Sequence, residues 1–261
     1  MGLPIHFDTD AVISLAQEAG KKILSIYSQG FDVYEKADKS PLTEADLLSH
    51  KKIIKGLAHI APDIPILSEE SSKDEISNRL NWETYWLIDP LDGTKEFVKR
   101  NGEFTVNIAL VHKHEPVFGV VHAPVLELTY WGGKNLGAHK VQDSKSNVIH
   151  IRKRPSDKAD WKIVGSRSHQ SDGFKSFIEK YPGAEIISMG SSLKLCLVAE
   201  GGADLYPRLG LTSEWDTAAS QAVVEAAGGQ VLRMPEMTSL RCNENESSLL
   251  NPHFLVCGDV L

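Results

Sequence analysis

The sequence predicts an α+β first half joined to an α/β second half, and three patterns carry that expectation. Apolar residues recur at helical spacing near the start, β-rich runs follow one another between residues 104 and 131, and beyond residue 160 short apolar runs alternate with helical ones. The polar stretch Asp143 to Asn147 reads as the junction. This divides the chain near residue 145, into domains of residues 1–145 and 146–261.

Composition narrows the class. At 261 residues the chain can bury a large core, and 41% hydrophobic with 24% charged residues is ordinary for a globular protein. A net charge of −7 leaves no basic excess to neutralise a nucleic-acid polymer. A small anionic substrate stays open, because bound cations can supply local positive charge. No apolar run approaches the roughly 18 residues of a membrane span, and the start does not read as a signal peptide. Cys196, Cys242 and Cys257 form no metal-binding pattern and suit a reducing compartment. The expected location is cytoplasmic. Peripheral association with the inner membrane is left open, as is the choice between monomer and homodimer.

Ala11, Val12, Leu15, Ala16, Ala19, Ile23 and Ile26 predict a helix from Thr9 to Tyr27, with Gly30 as its stop. A short strand over Asp32 to Lys36 leads to the Ser40-Pro41 turn. Thr43 and Asp46 then resemble a capping pair opening a helix that carries Leu47, Leu48, Ile53, Ile54 and Leu57. Asp46 is either a first-turn acid favoured by the helix dipole or a functional acid. After Pro62 and Pro65, the apolar strand Ile66-Leu67 ends at Ser68-Glu69-Glu70. Neighbours on a strand point to opposite faces, so one of the two glutamates faces any shared site. Ser71 to Asn81 is polar and reads as a mobile surface stretch.

Next comes Trp86-Leu87-Ile88-Asp89-Pro90-Leu91-Asp92-Gly93-Thr94. Its apolar start reads as a buried strand that delivers Asp89 to a sheet end. Pro90 fixes φ and Gly93 permits φ > 0, so the backbone must turn sharply. Such a turn brings Asp89 and Asp92 together with the Leu91 carbonyl, a set of hard oxygen donors suited to Mg²⁺. A solvated Asp- and Gly-rich turn is the competing reading.

Phe104 to His112, Val117 to His122 and Leu128 to Trp131 predict an antiparallel meander. Beyond the junction the expected order is strand 161–165, helix 172–181, strand 184–188, helix 193–200, strand 203–206, helix 216–227, and strands 230–233 and 254–257. Asp216 opens its helix, where Ala218, Ala219, Ala222 and Ala226 allow close packing. Taken alone it is a plain capping acid. His112, His114 and His122 show no paired ligand. Cys196 sits among leucines as a small buried hydrophobe.

If Glu69, Asp89, Asp92, Asp216 and the Leu91 carbonyl converge, their mutual repulsion demands cations. Two or three Mg²⁺ ions at about 2.0–2.1 Å from oxygen meet that demand, and such a cluster suits phosphate-ester hydrolysis. Thr94 follows the turn directly and, with Asp46, could orient the attacking water. Asp-Pro-Leu-Asp-Gly-Thr is one residue longer than the Asp-x-Asp-Gly-Thr of haloacid-dehalogenase-type phosphatases, and neither a P-loop nor a Gly-x-Ser-x-Gly elbow is present.

Glu69-Glu70, Asp89-Pro90-Leu91-Asp92-Gly93-Thr94 and Trp215-Asp216-Thr217-Ala218-Ala219, in that order, resemble the signature motifs of the inositol-monophosphatase-like, lithium-sensitive phosphatases. The resemblance implies a layered α/β/α/β/α sandwich. It implies Mg²⁺ ligands at Glu69, Asp89, Leu91 (main chain), Asp92 and Asp216, and water activation by Thr94 with Asp46 or Glu70. Asp92 to Phe97 with Lys99 to Asn107, Gly165 to His169, Gly190 to Lys194 and Tyr206-Pro207-Arg208 resemble the bacterial 3'(2'),5'-bisphosphate nucleotidases more narrowly. That resemblance implies removal of the 3'-phosphate of adenosine 3',5'-bisphosphate, in sulfate-assimilation metabolism, with inhibition by Li⁺. An inositol or sugar phosphatase of the same fold is the near alternative, and a non-catalytic metabolite-binding relative the distant one.

A bisphosphate needs a second anion site away from the metals. Ser191 and Ser192 at a helix start, Lys194 and Arg208 are the candidates for it. Ser166, Arg167 and His169 are candidates for the nucleotide side. Substrate contacts are thus expected from Glu69, Leu91, Asp92, Gly93, Thr94, Ser166, His169, Gly190, Ser191, Lys194, Arg208 and Asp216.

Overall fold

A computed structural model describes residues 6–29, 33–35, 41–166 and 171–258. Helix α1 (Thr9–Tyr27) starts at Asp8, whose carboxylate accepts the Ala11 N–H at 3.1 Å. A two-stranded ribbon, β1 (Val33–Glu35) and β2 (Pro41–Thr43), leads into α2 (Glu44–Ile60). Next come β3 (Ile66–Ser68), α3 (Lys73–Asn78), β4 (Thr84–Asp92) and α4 (Thr94–Val98). Strands β5 (Thr105–His112), β6 (Glu115–Ala123), β7 (Leu128–Gly133), β8 (Gly137–Gln142) and β9 (Lys145–Ile149) then run back and forth. They complete a seven-stranded sheet in the order β3-β4-β5-β6-β7-β8-β9, parallel only at β3–β4.

The second half alternates β10 (Lys162–Ser166), α5 (Asp172–Ile178), β11 (Glu185–Met189), α6 (Leu193–Ala199), β12 (Leu205–Arg208) and α7 (Glu214–Ala226). Strands β13 (Gln230–Arg233), β14 (Thr238–Ser239) and β15 (Phe254–Cys257) follow. The second sheet has the order β11-β10-β12-β15-β13-β14, with parallel pairs at β10–β11 and β10–β12.

Period-two alternation along β4 assigns the layers. Trp86 and Ile88 face one core with Leu15, Ala19 and Ile23 of α1 and Ile53 and Leu57 of α2. Tyr85 and Leu87 face another, where Cys196 and Val198 of α6 and Ala219 and Val223 of α7 meet Tyr206 and Val256 of the second sheet. Ile163, Leu205 and Leu255 on that sheet's far face pack with Phe174 and Phe177 of α5. The five layers are therefore α/β/α/β/α, as the resemblance implied. Each large side chain so buried contributes roughly 1.5–3 kcal/mol.

Small residues seat the middle layer. At Gly119 of β6 a Cβ would lie 2.1 Å from the Ala219 carbonyl oxygen, so α7 rests directly on the first sheet. Close seating of α7 brings its first turn, which carries Asp216, to the end of β4.

Two expectations need correction. Asp143 to Asn147 is not a junction: Asp143 and Ser144, both at positive φ, turn the β8–β9 hairpin, and residue 145 opens β9. The chain passes to the second sheet after Ile149. Ser71 to Asn81 is not a loose stretch. Ser72 and Glu75 form the capping box of α3, and Arg79 beyond it is buried, donating to the carbonyls of Asn245 and Glu246. Among the described residues no helix is long and apolar enough to cross a membrane.

Candidate active site

The site begins where β4 stops being regular. Asp89 still pairs with Asn107 of β5, but the register shifts before Asp92 pairs with Thr105. The Asp89 carboxylate accepts the Leu91 N–H at 3.0 Å, closing a tight turn around Pro90. Ser49 of α2 donates its hydroxyl to the Pro90 carbonyl at 2.7 Å and anchors the turn from behind. Gly93 then takes φ 90°, ψ 41°, and starts α4. A side chain there would be strained as well as crowded by Glu103 and Ser191. Thr94 donates to the Leu91 carbonyl at 3.3 Å.

Asp216 arrives from the other half. It sits in the first turn of α7, where its Oδ2 accepts the Ser213 N–H at 2.9 Å. One oxygen from each of Asp89, Asp92 and Asp216 lies within 4.8 Å of the others. Glu69, just beyond β3, donates its backbone N–H to the Ile88 carbonyl at 3.2 Å and shares a side-chain hydrogen bond with Asp89.

Burial, then the charges of Glu69, Asp92 and Asp216, hold the Asp89 carboxyl well above the usual carboxylate range. Burial and Asp92 push Asp216 up to about 8. Carboxylates so arranged ionise together only beside a cation. The donor set is all oxygen and carries no thiolate or imidazole, so its chemistry fits a hard divalent ion.

Two adjoining cavities open here. One, of about 410 Å³, is lined by Glu69, Asp89, Leu91, Asp92, Thr94 and Asp216. Its neighbour, of about 330 Å³, is lined by Gly190, Ser191, Lys194 and Arg208 and by the apolar Phe174, Met189 and Leu209. Asp92, Gly93, Lys95, Glu96 and Asp216 line both. The Lys194 ammonium donates to the Ser191 carbonyl at 2.6 Å, and burial lowers its pKa to about 8 against the pull of Asp92. Arg208 donates to the Leu211 carbonyl at 2.7 Å, while its buried Nε has no hydrogen-bond partner among the described residues.

Several expected contacts are placed differently. Ser191 and Ser192 do not present an open anion site: the Ser191 hydroxyl and the Ser192 N–H both donate to Oδ2 of Asp92. A carboxylate of the chain itself takes the donors expected to meet a phosphate. The Gly190 N–H likewise donates to Glu103 at 2.8 Å. Asp46 is buried, and its carboxylate accepts the Thr43 N–H and hydroxyl at 2.8 and 2.6 Å, so its capping role is realised. Glu70 acts on His50, where its charge opposes the fall in pKa that burial causes. Neither Asp46 nor Glu70 lines either cavity, whereas Thr94 does. Ser166 ends β10, and Arg167 and His169 lie outside the described residues.

Ser49 escaped the sequence reading, while Glu103, Thr105 and Asn107 entered it only within the Lys99 to Asn107 string, with no role of their own. Thr105 and Asn107 bind the hydroxyl of Ser192 at 2.7 and 2.9 Å. Their signal was available, as polar residues two apart in the otherwise apolar run Thr105 to Val111. The histidines set aside are structural: His112 shares a hydrogen bond with Thr84, His114 with the Cys242 carbonyl and His122 with Thr129. The three cysteines are buried thiols outside any disulfide.

Residues 6–254 match the inositol monophosphatase family. The 3'(2'),5'-bisphosphate nucleotidase CysQ of Salmonella typhimurium is 45% identical, over 95% of this chain and 98% of its own length. Its Escherichia coli K12 counterpart is 47% identical, over 85% of this chain and 89% of its own. The crystal structure of CysQ from Bacteroides thetaiotaomicron superposes with a TM-score of 0.84 at 42% identity, covering 97% of both chains. An inositol monophosphatase from Thermotoga maritima superposes at 0.76 and 26% identity, covering 95% of this chain and 91% of its own. Similarity of this extent, on a fold of five alternating layers and around a cluster of convergent carboxylates, places the chain in the metal-dependent inositol monophosphatase family.

Proposed function

We propose that the chain is a Mg²⁺-dependent 3'(2'),5'-bisphosphate nucleotidase that hydrolyses adenosine 3',5'-bisphosphate to AMP and phosphate. One observation carries this reading: the Asp89–Asp92–Asp216 cluster adjoins a second cavity that holds the cations Lys194 and Arg208. A substrate with two phosphates needs such a pair of sites, one for the ester to be cut and one for the phosphate that stays. The relatives named bisphosphate nucleotidases, at 45% and 47% identity, support the same substrate class.

Glu69, Asp89, Asp92, Asp216 and the Leu91 carbonyl would hold two or three ions. When bound, these supply the positive charge that lowers the pKa of water and steadies the phosphoryl and leaving oxygens. Thr94, fixed by its bond to the Leu91 carbonyl, orients the attacking water. Glu70 or Asp46 draws off its proton. The arm of the pH profile that rises from acid pH vanishes in whichever of Glu70→Gln and Asp46→Asn removes the acceptor. Lys194 and the unpartnered Nε of Arg208 bind the retained phosphate, with the apolar wall of Phe174, Met189 and Leu209 beside them. A cytoplasmic location fits cysteines kept as thiols rather than disulfides.

The test is phosphate release with Mg²⁺ from adenosine 3',5'-bisphosphate, inositol 1-phosphate and fructose 1,6-bisphosphate, each with and without Li⁺. A strong, lithium-sensitive preference for the nucleotide is expected. Preference for either of the other two would keep the metal site and remove the roles given to Lys194 and Arg208. No release from any would overturn the enzymatic reading.

A further inference from the structure

Asp216 is held from a direction that neither the metal site nor the substrate cavities explain. The irregular segment between β14 and β15 carries Leu250-Asn251-Pro252 near its end, and Asn251 is buried. Its backbone N–H donates to the Thr212 carbonyl at 2.8 Å. Thr212 C=O and Ser213 N–H belong to one peptide group, and that N–H donates to Oδ2 of Asp216 at 2.9 Å. The result is an unbroken chain of donors running from Asn251 through a single peptide to the carboxylate. Each bond polarises the next.

The Asn251 side chain fixes the following peptide as well. Its amide donates to the Ser213 carbonyl at 2.8 Å, to the Thr217 hydroxyl at 3.0 Å and, more weakly, to the Thr212 hydroxyl at 3.3 Å. Both peptides flanking Ser213 are thus gripped by one residue. Ser213 is the N-cap on which the Asp216 carboxylate turns.

We propose that Asn251 is a positioning residue for the cation site: it sets the rotamer of Asp216 through the Ser213 peptides, so that one oxygen stays on the Ser213 N–H and the other is presented to metal. The inference rests on Asp216 being a cation ligand. Without the amide, the Ser213 carbonyl and Thr217 hydroxyl lose a buried donor and the first turn of α7 gains freedom.

The test is calorimetric titration of Mn²⁺ into metal-stripped protein, with metal-free melting followed in parallel, for wild type, Asn251→Ala, Asp216→Asn and Ile163→Val. Ile163→Val loosens the outer core without approaching the acids. Asn251→Ala is expected to weaken Mn²⁺ binding about tenfold, the scale for losing a partner that orients a metal ligand. Ile163→Val should leave binding unchanged. Unchanged affinity in Asn251→Ala, alongside a loss in Asp216→Asn, overturns the role of Asn251 and leaves the metal site standing. Equal weakening by Ile163→Val overturns it too, since general loosening would then explain the effect. Unchanged affinity in Asp216→Asn overturns the metal assignment itself. Should Asn251→Ala not fold, Asn251→Leu, close in volume and without a side-chain donor, is judged by the same criteria.

Discussion

The backbone N–H of Ser192 donates to Oδ2 of Asp92 at 2.7 Å, joining two residues 100 positions apart. The chain thereby fixes one oxygen of its central carboxylate from the opposite half. The charge itself is what a cation would require, and Asn in its place keeps the shape but not the charge. Asp92→Asn is expected to lower kcat by on the order of 100-fold or more, the scale of losing one electrostatic contact to the transition state. Steady-state turnover at saturating Mg²⁺ checks this. Activity within a few fold of wild type would refute the metal assignment.

Ser191 takes part in the same contact at a conformational cost, since its φ is 53° and non-glycine residues resist that region. Two variants separate strain from contact. Ser191→Gly loses the hydroxyl bond and relaxes the backbone, whereas Ser191→Ala loses the bond and keeps the strain. Ser191→Gly should therefore be the more stable of the two by about 1 kcal/mol in urea unfolding. Both should need more Mg²⁺ for half-maximal activity, because each removes the same hydroxyl contact to Asp92 and leaves only the Ser192 N–H bond of that pair. Equal stability of the two would mean that the turn relaxes without cost.

Lys194 titrates in an accessible range. Burial lowers its ammonium to about 8, so in the free enzyme it is charged below that pH and neutral above. Its attraction for a phosphate is then lost as pH rises. For adenosine 3',5'-bisphosphate, kcat/KM is expected to fall through about pH 8. Lys194→Arg, charged throughout, should lack that fall. A fall identical in both proteins would assign it to another group.

His122 offers a stability test away from the site. It is buried on β6 against Gly20 of α1 and shares a hydrogen bond with Thr129 at 2.9 Å. Burial lowers its pKa from 6.5 to about 4, so the folded protein holds it neutral where the unfolded chain would protonate it. Its contribution is complete above about pH 6.5 and is lost as pH falls toward 4. The full shift corresponds to roughly 3 kcal/mol as a ceiling. Urea midpoints between pH 7 and 5 should fall more steeply for wild type than for His122→Asn. Parallel slopes would show that other groups carry the acid sensitivity.

The acids were legible because their chemistry is local. Asp89 and Asp92 sit three apart around a proline and before a glycine, and Asp216 opens a run of alanines. Both patterns constrain the backbone before any tertiary contact forms. Ser191 and Ser192 were read as donors at a helix start, and donors they are. Their acceptor, Asp92, lies 100 residues away and leaves no trace in local spacing. The β8–β9 hairpin escaped for a related reason. Its strand β9 is exposed along Lys145 to Val148, so no apolar alternation marks it, and the polar turn looked like a break between domains. Arg79 was hidden similarly: its partners are carbonyls of Asn245 and Glu246, which any sequence supplies.

Gly119 links the fold to the site most directly. It lies on β6 where α7 crosses, and an added Cβ would sit 2.1 Å from the Ala219 carbonyl oxygen and 2.7 Å from its carbon. Both obstacles are backbone, so no rotamer change relieves them; the helix must move off the sheet. Gly119→Ala is expected to cost about 3 kcal/mol, the upper end for overpacking one methyl. The displacement should also reach Asp216, three residues before Ala219 on the same rigid helix. Folded Gly119→Ala protein is therefore expected to need more Mg²⁺ for half-maximal activity. Gly173→Ala, on α5, where an added Cβ would come no nearer than 3.3 Å to Leu209 and 3.8 Å to the Ser171 hydroxyl, should leave the Mg²⁺ requirement unchanged. A Gly119→Ala protein with wild-type stability would mean that α7 shifts freely on this sheet. The close seating would then not be what sets the position of Asp216.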